Sequence, residues 1–395
     1  MADFSPPDSD RRHGARRGET SGKVADFRYK RPAPADKRNP GNRPAHRADA
    51  RNEPRNAAPR RGQAYAALDL GTNNCRLLIA RPAGENFTVI DAFSRVVRLG
   101  EGLARSGHLS DAAMDRALGA LRVCAEKLRR RHVYLARSVA TEACRRAANG
   151  MEFIERVRQE TGILLDVISA QEEARLAVLG CHVLLERGDG PAVIFDIGGG
   201  STELVLIEPD GPVPRIVDWQ SVPWGVVSLT DTIVNTEDSV QARLARYAEM
   251  QRVVAESFTP FARRIADAAR SGREIRLLGT SGTVTTLASV HLELPQYDRR
   301  AVDGLIVPSE AMRTISARLA GLSPQERGSL PCIGNDRAEL VVAGCAILEA
   351  ILDIWPAERL GVADRGIREG ILRSLMAAGI ASARGHNETQ SARGM

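Results

Sequence analysis

The feature that most constrains this chain is the stretch Phe195–Glu203, which reads FDIGGGSTE. An apolar run, residues 192–195, precedes its acid, and an aliphatic run, residues 204–207, follows it. Such runs around three glycines predict a β-hairpin with a tight loop. A flexible turn is the alternative reading, but backbone N–H groups left open by glycines also suit phosphate. The phosphate-binding candidates are Gly198, Gly199, Gly200, Ser201 and Thr202, and Asp196 and Glu203 are candidate ligands of a cation such as Mg²⁺.

The same plan recurs twice in the chain. Residues 65–80 run from an apolar strand through an acid, a glycine and small polar residues into a second strand. Residues 275–283 run from an apolar strand through Gly and Ser/Thr into a predicted helix over 284–290. This repetition predicts two similar domains that face each other across a cleft. It adds Gly71, Thr72, Asn73, Asn74, Ser281, Gly282 and Thr283 as phosphate-binding candidates.

Two hairpin loops and one strand–loop–helix turn resemble the phosphate loops of the actin-like superfamily. The resemblance implies an α/β fold with two actin-like (ribonuclease H-like) domains, and a chain of 395 residues has room for both. We predict the first domain at 63–188 and the second at 189–380. A disordered basic arm at 1–62 would precede them, and a frayed tail at 381–395 would follow.

The positive charge of the chain is concentrated in the predicted arm. Residues 1–61 carry 16 Lys and Arg against 8 Asp and Glu, whereas residues 62–395 carry 39 against 41. The arm has no apolar periodicity, so it cannot bury enough surface to offset its ordering entropy. Contact with a polyanion such as RNA or polyphosphate is one reading of the arm, and a solubilising extension without a partner is the other.

The remaining composition argues for a cytoplasmic protein. No apolar run approaches the ~18 residues that a membrane helix needs, and the N-terminus has no apolar signal-peptide core. The six cysteines show no C-x-x-C spacing and are expected to be reduced thiols.

Two further strand ends carry charged residues where α/β folds place ligands. After the predicted strand 133–140, Arg145 and Arg146 could grip a phosphate, or could belong to a solvated helix start. After the predicted strand 163–168, Glu172 and Glu173 begin a helix, where carboxylates also suit the macrodipole. Apolar spacing predicts a strand over 215–222 and helices over 111–131, 173–185, 240–269 and 337–353, with Ser110 and Ser309 as caps.

Five motifs in order over about 65–378 resemble the exopolyphosphatase/guanosine pentaphosphate phosphohydrolase family. They are DLGTN from Asp69, EEARL from Glu172, DIGGGSTE from Asp196, GTSGT from Gly279 and DRGIREG from Asp364. The resemblance implies that Glu173 is the catalytic base that activates water, and that Arg145 grips phosphate. It also implies that Asp69, Asp196 and Glu203 surround the metal and the scissile phosphate, and that the protein is a homodimer.

The implied reaction is Mg²⁺-dependent hydrolysis of a terminal phosphoanhydride. Inorganic polyphosphate and guanosine pentaphosphate both present such a bond, so the motifs do not choose between them, and the basic arm favours the longer polyanion. Two alternatives stay open: a small-molecule kinase on the same fold, and a non-catalytic sensor of guanosine polyphosphates. A kinase would require ATP-dependent phosphorylation, and a sensor would bind its ligand without phosphate release.

Overall fold

The structure of the protein is a computed structural model that describes residues 62–378, except 85, 189, 209–210, 212, 235–236 and 267–274. Apart from Gly62, the predicted arm at 1–62 lies outside the described residues, as does the predicted tail at 381–395. The described chain forms two mixed β-sheets with helices packed on them, which is the predicted α/β architecture.

The first sheet has five strands in the order β3-β2-β1-β4-β5. A hairpin meander supplies β1, β2 and β3, and the last two strands run parallel to β1. The aliphatic runs favour strands because alternate side chains bury on both faces of the central strand. The strands are β1 (Ala64–Leu70), β2 (Asn74–Ala83), β3 (Asn86–Val96), β4 (Val133–Ala140) and β5 (Leu165–Val167).

The second sheet repeats this plan and adds one edge strand, in the order β10-β11-β9-β6-β7-β8. Strands β6, β7 and β8 form the meander, and β9 and β11 continue the sheet in parallel with β6. The matching strand orders confirm the duplication predicted from the repeated loops. The strands are β6 (Ala192–Ile197), β7 (Thr202–Glu208), β8 (Arg215–Val222), β9 (Arg276–Thr280), β10 (Ile306–Pro308) and β11 (Arg359–Ala363).

The helices cover the sheets and connect their strands. In chain order they are α1 (Leu103–Ser106), α2 (Asp111–Arg130), α3 (Glu142–Arg146), α4 (Gly150–Thr161), α5 (Ala170–Cys181), α6 (Val226–Thr232), α7 (Val240–Arg264), α8 (Gly282–His291), α9 (Arg299–Val302), α10 (Ser309–Gly321), α11 (Pro324–Ser329), α12 (Leu340–Ile354) and α13 (367–378).

Most of the predicted helices are present, with shifts at their ends. Ser110 caps α2 by accepting the N–H of Ala113 at 3.3 Å. The cap predicted at Ser309 is wrong, because Pro308 is the N-cap residue and Ser309 is already helical. Helix α5 ends at Cys181, where a 3₁₀ turn replaces the predicted continuation to residue 185.

Helices α5 and α13 cross between the two sheets. Leu176 of α5 packs with Ile371 and Leu375 of α13 on the first sheet, whereas Ala174 and Val178 of α5 pack on the second. Helix α13 falls within the second predicted domain but covers the first sheet, so the chain passes between its two halves twice. The exact domain boundaries stay a prediction.

Candidate active site

The three glycine loops meet in one cleft between the sheets. The cleft has a volume of about 920 Å³, counted to its open mouth. Each loop follows the carboxyl end of a central strand (β1, β6 or β9). Strand β1 runs parallel to β4, and β6 runs parallel to β9. The loops at these strand ends line the same space. The sequence motifs are thus brought together by strand direction.

The first two loops pack directly on each other. A Cβ atom on Gly199 would lie 2.9 Å from Cβ of Thr72, and one on Gly200 would lie 2.6 Å from Oγ1 of Thr72. The carbonyls of Gly198 and Gly199 accept N–H groups from the start of α6, for example from Val227 at 2.8 Å. The glycines therefore permit loop contact as well as access for a ligand.

Each loop leaves backbone donors unpaired. Gly71 and Gly198 use their N–H groups in the turns, bonding the carbonyls of Asn74 at 2.9 Å and Ser201 at 3.0 Å. The N–H groups of the next residues make no hydrogen bond within the described chain, and the first N–H groups of α8 are unpaired because helix starts lack acceptors. These donors, all on cleft-lining residues, belong to Thr72, Asn73, Gly199, Gly200, Gly282 and Thr283.

The third loop holds a strained residue. Ser281, the N-cap of α8, has φ 78°, a conformation that non-glycine residues rarely adopt. Its hydroxyl donates to Oδ1 of Asp196. This hydrogen bond joins the third loop to Asp196 near the end of β6.

Glu173 lies in the first turn of α5 and is 7% exposed. Its Oε2 accepts from both terminal nitrogens of Arg145, each at 3.1 Å. The same guanidinium bonds Glu142 at 2.6 Å and the carbonyl of Ile168 at 2.7 Å. Arg145 therefore orients Glu173 in this structure, and its role as a phosphate ligand stays a prediction.

The buried carboxyl groups of the cleft resist ionisation. Burial raises the pKa of Glu173 well above its usual value, the charge of Glu203 raises it further, and Arg145 opposes both. Burial also raises the pKa values of Asp69 and Asp196. Burial and the neighbouring charge of Asp196 raise the pKa of Glu203 to about 7, although the hydroxyls of Ser201 and Ser221 donate to it.

These acids offer oxygen donors for a cation. Oδ1 of Asp69 is buried and has no hydrogen-bond partner within the described chain. Asp196 raises the pKa of both Asp69 and Glu203, so its charge acts on each. Within residues 62–378 as described, no three His, Cys, Asp or Glu side chains converge as a complete ion site. The donor set fits an ion that completes its shell with water and phosphate oxygens, as Mg²⁺ usually does.

Nearly all of the predicted site residues line the cleft. Two do not: Arg145 lies behind Glu173, and Thr202 is fully buried with its hydroxyl on the carbonyl of Trp224 at 2.6 Å. Arg146 is exposed. The residues of the prediction that line the cleft are Asp69, Gly71, Thr72, Asn73, Asn74, Glu173, Asp196, Gly198, Gly199, Gly200, Ser201, Glu203, Ser281, Gly282 and Thr283.

Sequence reasoning missed several residues that also line the cleft, among them Arg76, Glu142 and Arg337. Arg76 pairs across the hairpin with Asp69, so the register of β1 and β2 was the signal for it. Arg337 lies just before α12 and donates to Thr286 at 2.8 Å, and no local pattern marks it.

Comparison with known proteins agrees with this fold. The model of the Ppx/GppA phosphatase family matches residues 78–378. Exopolyphosphatase 2 of Mycobacterium tuberculosis is 30% identical over 324 residues, covering 78% of this chain and 98% of that protein. The chain therefore belongs to the Ppx/GppA phosphatase family.

Solved structures support the same placement. The Ppx/GppA family member of Aquifex aeolicus is 26% identical with a TM-score of 0.64, covering 80% of this chain and 98% of that one. An exopolyphosphatase from Cytophaga hutchinsonii is 25% identical with a TM-score of 0.70, with the same coverage of the two chains. Both span nearly all of the region that the structure describes.

The raised pKa of Glu203 predicts a pH-dependent stability. The folded protein keeps this proton between pH 4.5 and about 7, where the unfolded chain loses it, so the free energy of unfolding falls as pH rises through that window. Glu203→Gln removes the penalty and keeps an oxygen for both serines. Without divalent metal, we expect it to be more stable than the parent by up to about 3 kcal/mol at pH 8.

Urea unfolding of both proteins at pH 5 and pH 8 measures this difference. The gap between them should shrink towards pH 5, where the parent carboxyl is protonated. Glu310→Gln is the control, because Glu310 is exposed at the start of α10 and should show no such pH-dependent gap. If the free energies of unfolding of Glu203→Gln and the parent differed by the same amount at both pH values, the raised pKa of Glu203 would be contradicted.

Proposed function

We propose that this chain is an exopolyphosphatase that removes the terminal phosphate of inorganic polyphosphate. One observation carries the proposal: the unpaired N–H groups of three separate loops line the same cleft as the buried carboxyl of Glu173. Convergent N–H groups bind phosphate oxygens, and a carboxylate base beside them can act on a water. The relative in M. tuberculosis is named an exopolyphosphatase, which supports this choice of substrate.

In the proposed reaction, a water oxygen attacks the terminal phosphorus while the bridging P–O bond breaks. Glu173 takes a proton from the water, and the bond electrons leave with the shortened chain. The products are orthophosphate and a polyphosphate that is one unit shorter. Such catalysis depends on positioning and on stabilising charge at the phosphoryl oxygens, which the loop N–H groups would supply.

Phosphatases of this family generally use divalent metals. The acids of the cleft fit such an ion. We propose Mg²⁺, held by Asp69 and Asp196 with Glu203 beside them, because hard oxygen donors suit this ion. When bound, the ion would neutralise negative charge on the phosphate groups. Arg145 would keep Glu173 turned towards the cleft through the two hydrogen bonds described above.

Guanosine pentaphosphate is a second candidate substrate of the same site. It also ends in a phosphoanhydride, and hydrolysis would yield the tetraphosphate of the stringent response. The cleft favours this candidate in one respect, because Val226, Leu340, Val341 and Ile367 add an apolar lining that a polyphosphate chain does not use. A purine and ribose could cover such a surface.

Phosphate release by the purified protein with Mg²⁺ tests the proposal. Release from long-chain polyphosphate is expected, and the ratio of kcat/KM for polyphosphate and guanosine pentaphosphate names the preferred substrate. Tight binding of either ligand without release would favour the sensor. ATP-dependent phosphorylation of a small molecule without polyphosphate hydrolysis would favour the kinase.

Three further expectations remain proposals: a homodimer, a cytoplasmic location, and contact of residues 1–61 with RNA or another polyanion. The described residues include no helix with the length and apolar character needed to cross a bilayer. Light scattering would establish the oligomeric state. Binding to a polyanion with and without residues 1–61 would test the arm.

A further inference from the structure

Two more spaces lie near the cleft. The first shares lining residues with the cleft, and the second shares a lining residue with the first. The first, here called the rear chamber, is lined in part by Arg76, Arg365 and Arg368. Asp69, Asp196 and Ser281 line both the cleft and the rear chamber, so the two spaces are neighbours.

The second space, here called the rear groove, has a volume of about 1,100 Å³. Among the described residues, its lining includes Arg299, Arg300, Arg365 and Arg373 and two acids, Asp303 and Glu369. Arg365 lines the chamber as well as the groove. By their shared lining residues, the rear chamber is a neighbour of both the cleft and the rear groove.

Both acids of the rear groove are already paired with an arginine. Arg365 bonds Asp303 at 2.7 Å, and Arg299 bonds Glu369 at 2.8 Å. The side chains of Arg300 and Arg373 make no hydrogen bond or ion pair with the described residues, and Nε of Arg373 is buried. Two guanidinium groups of the groove therefore have no hydrogen-bond or ion-pair partner among the described residues.

The rear chamber also holds arginines without a hydrogen-bond partner in the described chain, although Asp69, Asp196 and Asp364 line it as well. The side chains of Arg76 and Arg368 make neither a hydrogen bond nor an ion pair within the described part of the chain. Burial lowers the pKa of Arg368, the charge of Glu369 opposes this, and the charge of Arg76 lowers the pKa further. Asp364 also lines the chamber, but it pairs with Arg299 at 2.9 Å.

Guanidinium groups without partners are suited to a phosphate anion. Their planar N–H donors match two phosphate oxygens at once, and partial burial strengthens the attraction. Hydrolysis in the cleft would produce orthophosphate beside Asp69 and Asp196, the two acids that the cleft shares with the rear chamber. A newly formed orthophosphate would therefore already lie at the entrance to the arginine-lined spaces.

We propose that the rear chamber and rear groove bind orthophosphate and form its exit path, while the shortened polyphosphate stays in the cleft. This inference rests on the proposed function for the source of the anion. It separates the route of the product from the route of the substrate, so one phosphate can leave without release of the chain.

Product inhibition tests the path. We compare the parent with a double variant, Arg300→Gln with Arg373→Gln, in initial rates on polyphosphate at several orthophosphate concentrations. In the parent, orthophosphate should lower kcat, because it occupies a path that polyphosphate does not use. In the double variant, the orthophosphate concentration that halves kcat should rise about tenfold, with KM for polyphosphate changed less than about twofold.

Two results would overturn the exit path: purely competitive inhibition by orthophosphate in the parent, or equal inhibition in both proteins. A tenfold rise in KM for polyphosphate with unchanged orthophosphate inhibition would also overturn it, and would assign the groove to the polyphosphate chain. Arg129→Gln with Arg318→Gln is the matched control, because both side chains are exposed and line none of the three spaces. It should behave like the parent.

Calorimetry with inorganic phosphate alone separates this inference from the proposed function. Binding about tenfold weaker in the double variant than in the parent supports the anion site, even in a protein that releases no phosphate from polyphosphate. Equal binding overturns the site. Arg300→Gln alone, at an exposed side chain, provides the same comparison with less risk to folding.

Discussion

Glu173→Gln should reduce the rate of phosphate release by about 10²- to 10⁴-fold while leaving binding of polyphosphate within a few-fold of the parent. The amide keeps the volume of the side chain and an oxygen for Arg145, but it cannot accept a proton from water. Because the pKa of Glu173 is raised, the parent rate should increase with pH as the carboxyl ionises. The residual rate of the variant should lack that increase.

The neighbouring acid provides a matched control. Glu172 pairs with Arg137 at 2.8 Å and with Arg175 at 2.7 Å, and it does not line the cleft. Glu172→Gln should therefore change kcat by less than about twofold, because its ion pairs lie outside the cleft. Near-normal turnover of Glu173→Gln, or equal losses in the two variants, would remove Glu173 from the role of base.

Gly370→Ala should destabilise the protein by about 2–4 kcal/mol. A Cβ atom at Gly370 of α13 would lie 2.0 Å from the carbonyl oxygen of Leu176 in α5. Since both partners are backbone, the two helices must move apart. Helix α5 also carries Glu173, so the fraction that folds should have a lower kcat. Urea unfolding and initial rates measure the two effects.

The control for this prediction is Gly119→Ala in the middle of α2. A Cβ atom there would meet no heavy atom within 4 Å, and alanine is the better helix former. Gly119→Ala should therefore stabilise the protein by about 0.5–1 kcal/mol. If Gly370→Ala were as stable as the parent, the close contact between Gly370 of α13 and the backbone of Leu176 in α5 would be contradicted.

The sequence predicted the loops and the fold because their signals are local. Three glycines between apolar runs predict a hairpin, and the strand predicted over 215–222 is β8, Arg215–Val222. The burial of the Thr202 side chain also follows from a local rule. Successive strand residues point to opposite faces, so Thr202 and Glu203 cannot both turn to the cleft.

The crossing of α5 and α13 could not be predicted in this way. The contact between Leu176 and Gly370 joins residues far apart in the chain, and neither a glycine nor an aliphatic residue identifies its partner. The same holds for the rear groove, which draws arginines from α9 and α13 together. The hydrogen bonds of Arg145 to Glu173 likewise depend on how α3 and α5 lie against each other.

The most direct test of the central claim is orthophosphate release from two polyphosphates of equal length, one with free ends and one with both ends blocked by esterification. A cleft that holds a terminal phosphate against Glu173 requires a free end. The account predicts release from the free-ended chain, which shortens one unit at a time, and none from the blocked chain. Release from both, or cleavage within the blocked chain, would contradict it.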